Sequence, residues 1–343
     1  MIAVALSGGV DSAAAAICLR EKGLDVIGVL FRIGRNIPDP SMISQASEIC
    51  SSLKIPFHVI DIQDEFRTVK QYFCSEYLSG RTPNPCAICN RDIKFGLFFE
   101  KVHALGADMI ATGHYVRLDN DGDRFFLARA VENNSQEYFL GLLGQEVLKK
   151  VIFPLEGMTK DQARSLVGRY SSDIETGRSS QDVCFLKGKG YVPFIRSFAG
   201  FHPVPGDILD TSGSVIGAHR GALYYTPGQR KGLGMGFGRR VYVLEKDIDF
   251  NTVTIGDLDQ WSYTGFIINH PNYMKVASIE GGMKVFVKTR YNQTPVPAVI
   301  SPSASGVIRV LYPELFAAGQ LAVIYDDDDA ILCSGIITGP MKI

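Results

Sequence analysis

No stretch of roughly 18 apolar residues occurs anywhere in the 343-residue sequence, so no segment reads as a helix able to span a bilayer. Charge of either sign is not in excess. The 35 Lys and Arg nearly balance 36 Asp and Glu, and composition gives no sign of a partner gripped through bulk positive charge. Any nucleic-acid partner has to be recognised through local motifs. Seven cysteines, an odd number scattered over a long chain, are the opposite of a disulfide framework and leave buried thiols, metal ligation or catalysis as their uses. Internal repeats and low-complexity tracts are absent. The first six residues form an apolar strand-like run that enters a Gly-rich turn at once, without the basic start, long apolar core and small-residue cleavage site of a secretory signal, so a cytoplasmic location is expected.

What remains is the composition of an ordinary globular chain, 46% hydrophobic and 21% charged, long enough for two or three domains. Up to about residue 112, short β-branched or apolar runs (Ile2 to Leu6, Asp25 to Leu30, Phe57 to Ile60, Met109 to Thr112) alternate with helical patterns. Those helical stretches are Ala13 to Lys22, Met42 to Leu53, Glu65 to Leu78 and Asp92 to Leu105. Such alternation predicts an α/β fold, a doubly wound parallel sheet with ligands at the carboxyl ends of its strands. Asn120 to Asp123 reads as a hairpin turn, and Lys160 to about Tyr170 as a helix. Beyond about residue 200, Gly and Pro punctuate short strands such as Val241 to Leu244, Lys284 to Thr289 and Gln320 to Tyr325, which predicts a small β-rich central domain and then a C-terminal β-barrel. The expected divisions are residues 1–195, 196–260 and 261–343.

The strongest local signal is Ser7-Gly8-Gly9-Val10-Asp11-Ser12, between the first strand and the first helix. Adjacent glycines turn the backbone sharply and aim N–H groups at one point, and the helix N-terminus adds positive potential, so a phosphate is expected to be held there without lysine. Ser7 and Ser12 can donate hydroxyl hydrogen bonds, and Asp11 can hold Mg2+. The string is not the GxxxxGK[ST] loop. It resembles the PP-loop of the N-type ATP pyrophosphatases, which implies cleavage of ATP between its α- and β-phosphates and adenylation of a carbonyl or carboxyl oxygen.

Cys18, Cys50, Cys74 and Cys333 fall in helix-like or strand-like stretches where a thiol behaves as a small hydrophobe. Cys86 and Cys89 lie in Thr82-Pro83-Asn84-Pro85-Cys86-Ala87-Ile88-Cys89-Asn90, ahead of a helix expected from about Arg91. Placed at that helix start, Cys89 is expected to have its thiol pKa lowered by the helix dipole. Cys184 stands apart in Ser180-Gln181-Asp182-Val183-Cys184-Phe185. One C-x-x-C is compatible with half a zinc site, a redox pair or unrelated thiols, and no second ligand pair follows at zinc-like spacing. The acidic run Asp326 to Asp329 reads as a solvated turn rather than a metal site.

Seven blocks then resemble, in order, the tRNA-specific 2-thiouridylase family (MnmA, TrmU): SGGVDS at 7–12, GRTPNPCAICNRDIKF at 80–95, ATGHY at 111–115, QEYFL at 136–140, SQDVCF at 180–185, YTPGQRKGLG at 225–234 and KTRYNQ at 288–293. The resemblance implies ATP-dependent replacement of the 2-oxo group of the wobble uridine of tRNA by sulfur. It implies an ATP site of Leu6, Ser7, Gly8, Gly9, Val10, Asp11, Ser12, Ala13, Phe31 and Gly113. Cys184 is implied to accept sulfur as a persulfide from a sulfur-donor protein, a relay protein or a cysteine desulfurase, with Cys89 as the second catalytic thiol. After transfer, a transient Cys89 to Cys184 disulfide is reduced. Asn84, Pro85, Cys86 and His114 are implied to meet the flipped-out target base. Asn134, Ser135, Gln136, Arg290, Tyr291 and Gln320 are implied to contact tRNA. Neither a membrane nor DNA is an expected partner. The basic loop from Gly228 to Gly234 suits an RNA backbone.

Three departures stand out, one of them the segment from Arg32 to Ser41 after the second strand, which is shorter than in many relatives and borders the expected ATP pocket. Asn134-Ser135 replaces a Lys-Asp pair that many relatives carry, which removes a cation from a tRNA-recognising segment. Cys86 stands where many have Asp, and Cys86, Cys89 and Cys184 could instead hold three irons of a 4Fe-4S cluster whose fourth iron carries sulfide. Two other readings keep part of the signal: a PP-loop enzyme acting on a small molecule, which leaves Cys89, Cys184 and the barrel unexplained, and a divergent paralogue that binds tRNA without modifying it.

Overall fold

The run Ile2–Leu6 forms strand β1, and because successive side chains of a strand point to opposite faces, Ile2, Val4 and Leu6 enter one core while Ala3 enters another. The computed structural model describes residues 1–34, 37–130, 135–171, 183–186, 188–233, 240–303 and 306–342. Strand β1 leads into helix α1 (Val10–Glu21), and the chain continues through β2 (Val26–Arg32), α2 (Pro40–Leu53), β3 (Phe57–Asp61) and α3 (Gln63–Leu78). Next come helix α4 (Pro85–Ile88), a π-helical segment (Cys89–Leu97) and α5 (Phe98–His103), then β4 (Met109–Ala111). The expected hairpin is β5 (Arg117–Asn120) with β6 (Phe125–Ala128), closed where Asn120 Oδ1 accepts from the Gly122 N–H at 2.7 Å. Helix α6 (Gln145–Leu148), β7 (Val151–Ile152) and α7 (Lys160–Gly168) complete this part, and α8 (Tyr191–Ala199) follows.

The five strands pair in parallel in the order β3-β2-β1-β4-β7. Strand order therefore reverses between β1 and β4. At such a switch point the loops leaving two neighbouring strands diverge and open a crevice. Helices α1, α2 and α7 cover one face, while the other packs on the π-helical segment, α5 and the hairpin, so the sheet is buried on both sides as its continuous apolar strands require.

A small domain has the sheet order β10-β11-β8-β9, with β8 (Gly206–Leu209), β9 (Val215–His219), β10 (Tyr242–Asp247) and β11 (Thr252–Gly256) around a core of its own. The C-terminal part holds β12 (Tyr263–Asn269), β13 (Asn272–Tyr273), β14 (Met283–Lys288), β15 (Val296–Pro302), β16 (Val307–Leu311), β17 (Leu321–Tyr325) and β18 (Ile331–Lys342). Six of these run β12-β16-β15-β14-β17-β18, and β18 pairs back onto β12, closing a barrel that leaves no free edge among them. The α/β fold, the small central domain and the barrel are those expected from the sequence. Asp326 closes the β17–β18 turn by accepting from the Asp328 and Ala330 N–H groups, and it pairs with Lys275, so the acidic run is a turn.

The barrel is joined to the N-terminal part by buried polar contacts. Tyr138 donates its hydroxyl to the Leu321 carbonyl at 2.7 Å, and Ser334 donates to the Gly141 carbonyl at 2.6 Å. Asn272 donates to the carbonyls of Gly141 and Leu143 at 2.7 and 2.8 Å. No helix among the described residues is long and apolar enough to cross a membrane.

Candidate active site

The glycine loop leaves β1 at the switch point. Gly8 has φ +79°, a left-handed conformation natural to glycine, and a Cβ there would lie 2.3 Å from the Met42 carbonyl oxygen of α2. Ser12 turns its hydroxyl back onto the loop, donating to the Gly9 carbonyl at 2.9 Å while its oxygen accepts from the Ser7 N–H at 3.1 Å. Gly113, in the loop that leaves β4, presses so closely that a Cβ would sit 2.5 Å from the Asp11 carbonyl and 2.7 Å from the Ser12 nitrogen. The two diverging loops thus meet backbone to backbone. Leu6, Gly8, Gly9, Ser12 and Ala13 share a crease with Gln45, Ala46 and Ile49 of α2, while Ser7 is exposed and Val10 and Asp11 are half-buried. Phe31, at the end of β2, packs edge-on against Phe98 of α5 with ring centroids 5.0 Å apart.

A lysine from a distant part of the chain reaches the glycine loop. Lys160, the first residue of α7, places Nζ 2.5 Å from Asp11 Oδ2, and Tyr115 donates its hydroxyl to Asp11 Oδ1 at 2.8 Å. The Lys160 ammonium also lies 4.7 Å from the centre of the Tyr115 ring. Tyr115 closes the ATGHY block and could have been found there. Lys160 is 149 positions from Asp11 and had no sequence signal; a Thr159 and Gln162 capping box fixes the start of its helix. As to magnesium, one carboxylate already paired with an ammonium is not a cage, and no group of three His, Cys, Asp or Glu able to hold a metal ion occurs among the described residues.

Beyond Gly113, the loop carries His114 toward the cysteine segment. Thr112 Oγ1 and His114 Nδ1 are 2.8 Å apart, and the imidazole lies between Phe95 and Phe153 with centroids 6.0 and 6.4 Å away. Burial, with the Lys94 ammonium nearby, holds its pKa well below the ordinary imidazole value, so the ring is neutral at physiological pH.

The cysteine helix begins earlier than its sequence suggested. Asn84 is its N-cap, accepting from the Ala87 N–H at 3.1 Å, and Pro85 occupies the first turn. Residues 85–103 continue as one helical rod, so Cys89 lies inside it rather than at a positive end. Correspondingly, burial pushes the Cys89 thiol up to about 12, against the pull of Lys94. The expected depression of that thiol by a helix dipole is overturned, because the dipole acts within the first turn and desolvation acts everywhere along a buried face. Cys86, in the first turn, is also raised, again chiefly by burial.

Phe185 anchors the remote segment. Its ring packs on Phe73, Phe194 and Phe66 at 5.2, 4.9 and 6.0 Å, in a core that also takes Cys89 and Val183. Cys184 is exposed beside this nest. The thiols of Cys86 and Cys89 each feel Cys184, and burial by surrounding atoms raises the Cys184 thiol even though it reaches solvent. Val183 and Phe185, which flank Cys184, pack in the same core as Cys89, so the fold sets side by side two segments whose cysteines are 95 residues apart in sequence. Cys18, Cys50, Cys74 and Cys333 lie in α1, α2, α3 and β18, the last three buried, as their apolar surroundings implied. As placed, Cys86, Cys89 and Cys184 do not converge as ligands of a single metal ion.

The residues expected to contact tRNA divide by environment. Arg290 is exposed and donates to the Pro227 carbonyl at 3.4 Å, beside the basic Gly228 loop. Tyr291 is half-buried against Phe139, and with Ser135, Arg129, Glu137 and Lys288 it lines a polar recess of about 240 Å³. Two others are internal clamps. Gln136 Oε1 accepts from the Tyr115 N–H at 3.1 Å, and Gln320 donates to the carbonyls of Thr82 and Pro83 at 3.0 and 3.3 Å, holding the approach to the cysteine helix. Asn134, Ser180 to Asp182 and Gly234 lie outside the described residues.

Comparison with known proteins gives this geometry a family. Residues 1–188 match the tRNA methyl transferase HUP domain, residues 193–257 the tRNA methyl transferase PRC-barrel domain, and residues 263–337 the aminomethyltransferase beta-barrel domain. The chain is 36% identical to the tRNA-specific 2-thiouridylase MnmA of Clostridium perfringens, covering 98% of both chains. The chain belongs to the tRNA-specific 2-thiouridylase family. It is 35% identical, again over 98% of each chain, to the tRNA-specific 2-thiouridylase MnmA 1 of Clostridium botulinum. The U34-tRNA thiolase NcsA of Methanococcus maripaludis, solved with its 4Fe-4S cluster, superimposes with a TM-score of 0.34 at 18% identity, over 58% of this chain and 70% of that one. A superposition that loose carries no argument about a cluster in this chain.

Proposed function

We propose that this enzyme uses ATP to adenylate the 2-oxo group of the wobble uridine of tRNA and replaces it with sulfur passed through Cys184 and Cys89. The single observation that carries the reading is that Val183 and Phe185, on either side of Cys184, pack in the same core as Cys89 in a chain of this family. A continuous path links them to the glycine loop: Gly113 touches Asp11, His114 follows it, and Phe95 of the cysteine helix packs on His114. A uracil oxygen is a poor leaving group, whereas an adenylated one departs as AMP. Backbone N–H groups at the start of α1, with Ser7, receive the phosphates, and Lys160, released from Asp11, adds a cation. Asp11, once free of Lys160, would offer a single carboxylate to a Mg2+ held mainly by the nucleotide, which would screen phosphate charge.

In this scheme the outer sulfur of a Cys184 persulfide, supplied by a donor protein, attacks C2 and expels AMP. The Cys89 thiolate then attacks Cys184 Sγ, breaking the sulfur–sulfur bond and leaving 2-thiouridine and a Cys89–Cys184 disulfide, which an external dithiol reduces. Neutral His114 beside the cysteine helix suits contact with an uncharged base. Arg290 suits a phosphate, and Tyr291 offers a ring face at the polar recess.

Mass spectrometry of bulk tRNA from a strain lacking this gene, and no other thiolase, tests the reading. Loss of 2-thiouridine that the wild-type gene restores is expected, and undiminished 2-thiouridine rejects it. Gly113→Ala is a second test. Its Cβ must displace main-chain atoms of the loop, so overpacking of about 1–3 kcal/mol is expected to weaken ATP binding roughly tenfold or more, read by calorimetric titration.

A further inference from the structure

Lys94 belongs to the π-helical segment, five residues after Cys89. In an α-helix five residues rotate about 140°, which would send the two side chains to different faces. A π-helix closes its hydrogen bonds between residues five apart, so Lys94 comes one turn beyond Cys89 on the same side of the rod. Gly96 marks how tight the widened turn is, since a Cβ there would lie 3.0 Å from the carbonyl oxygen of Arg91, five residues back. Lys94 is exposed and has no carboxylate or hydrogen-bond partner among the described residues, unlike the neighbouring Arg91, which pairs with Asp92. Its charge acts on Cys86, Cys89, Cys184 and His114, and among the described residues no other cation acts on all four. Lys70 of α3 acts on Cys184 alone among these groups, and Asp92 works against ionisation of Cys89.

We propose that Lys94 is the charge-stabilising residue of sulfur transfer, its ammonium holding the anionic sulfur as it passes between Cys184 and Cys89. The role rests on the thiolation reading above. Each bond change there starts from a sulfur anion in a site that burial has made hostile to one. The persulfide anion is consumed when it bonds to C2 and AMP departs with the electron pair of the broken C–O bond. The Cys89 thiolate is consumed when it bonds to Cys184 Sγ, and the pair of the broken sulfur–sulfur bond leaves on the new 2-thio group. A cation shared by both thiols serves both steps without moving far. Neutral His114 cannot supply that charge, and Lys70 faces only one of the two.

The test is alkylation of the reduced full-length protein by iodoacetamide, without ATP or tRNA, at one fixed, mildly alkaline pH, with rates read peptide by peptide. Lys94→Met is expected to slow labelling of both Cys89 and Cys184 by roughly tenfold, the effect of one nearby opposite charge on a thiolate. Lys70→Met slows Cys184 only, and Lys94→Arg labels like the wild type. Wild-type labelling of Cys89 in Lys94→Met overturns the proposal. So does equal slowing in Lys94→Arg and Lys94→Met, which would mean that shape rather than charge matters. Because the assay contains no tRNA, its failure is separate from failure of the thiolation reading, which shows only as retained 2-thiouridine in the gene-deletion strain. Slowed labelling together with retained 2-thiouridine would remove the transfer role and leave Lys94 as a modulator of thiol reactivity.

Discussion

A Cys184→Ser enzyme is expected to make no 2-thiouridine, a loss of roughly 10³-fold or more, while still releasing pyrophosphate from ATP when tRNA is present. The hydroxyl cannot carry a persulfide, but the adenylation machinery lies around the glycine loop and Gly113, apart from this side chain. Exposure of Cys184 makes the substitution structurally mild, since Phe185 rather than Cys184 anchors the segment. Cys89→Ser divides the reaction differently. Sulfur still reaches C2, but nothing attacks Cys184 Sγ, so tRNA accumulates on the protein through a sulfur–sulfur bond that dithiothreitol cleaves. Nucleoside analysis reads the first variant, and a denaturing gel with and without reductant reads the second. Full activity of Cys184→Ser would sink both the persulfide scheme and any cluster that uses this thiol.

The second large effect concerns stability. Glu137 has no exposed surface, and its Oε1 accepts the Tyr325 hydroxyl at 2.9 Å and lies 3.5 Å from Lys288 Nζ. Lys288 is itself 5% exposed and spreads its charge over the rings of Tyr138 and Tyr291. Desolvation lowers the Lys288 pKa while Glu137 opposes the shift, the balance expected of a buried pair. Removing one partner strands a buried charge, which costs about 3–5 kcal/mol. Lys288→Met is therefore expected to lower the melting temperature clearly, and adding Glu137→Gln to recover most of the loss, because the double variant leaves no net charge inside. Calorimetry on the three proteins decides it; equal melting of Lys288→Met and wild type would show that the pair carries no such load. The consequence reaches the active site, because Glu137 follows Gln136, whose side chain clamps Tyr115 next to His114.

The sequence alone established the layered architecture, because each signal is short in range. Ile2 to Leu6 is a continuous apolar run of five residues, as a strand buried on both faces must be. Ser7 to Ser12 fits a strand-to-helix turn because of what glycine backbones permit. The Asn120 to Asp123 turn and the Lys160 helix were equally legible, since turn chemistry and capping are written within four residues. The blocks around Cys89 and Cys184 carried the family. Tertiary structure decided the rest. It alone brought Lys160 to Asp11, placed Gln320 under the cysteine helix and set Phe185 in its aromatic nest, because such contacts depend on how whole elements dock. It also moved Cys89 from a helix start into the middle of a rod and made its ionisation a matter of burial. The π-helical turn that aligns Lys94 with Cys89 belongs to the same class, since a pattern of residue types does not state how many residues fill one turn once the helix is packed.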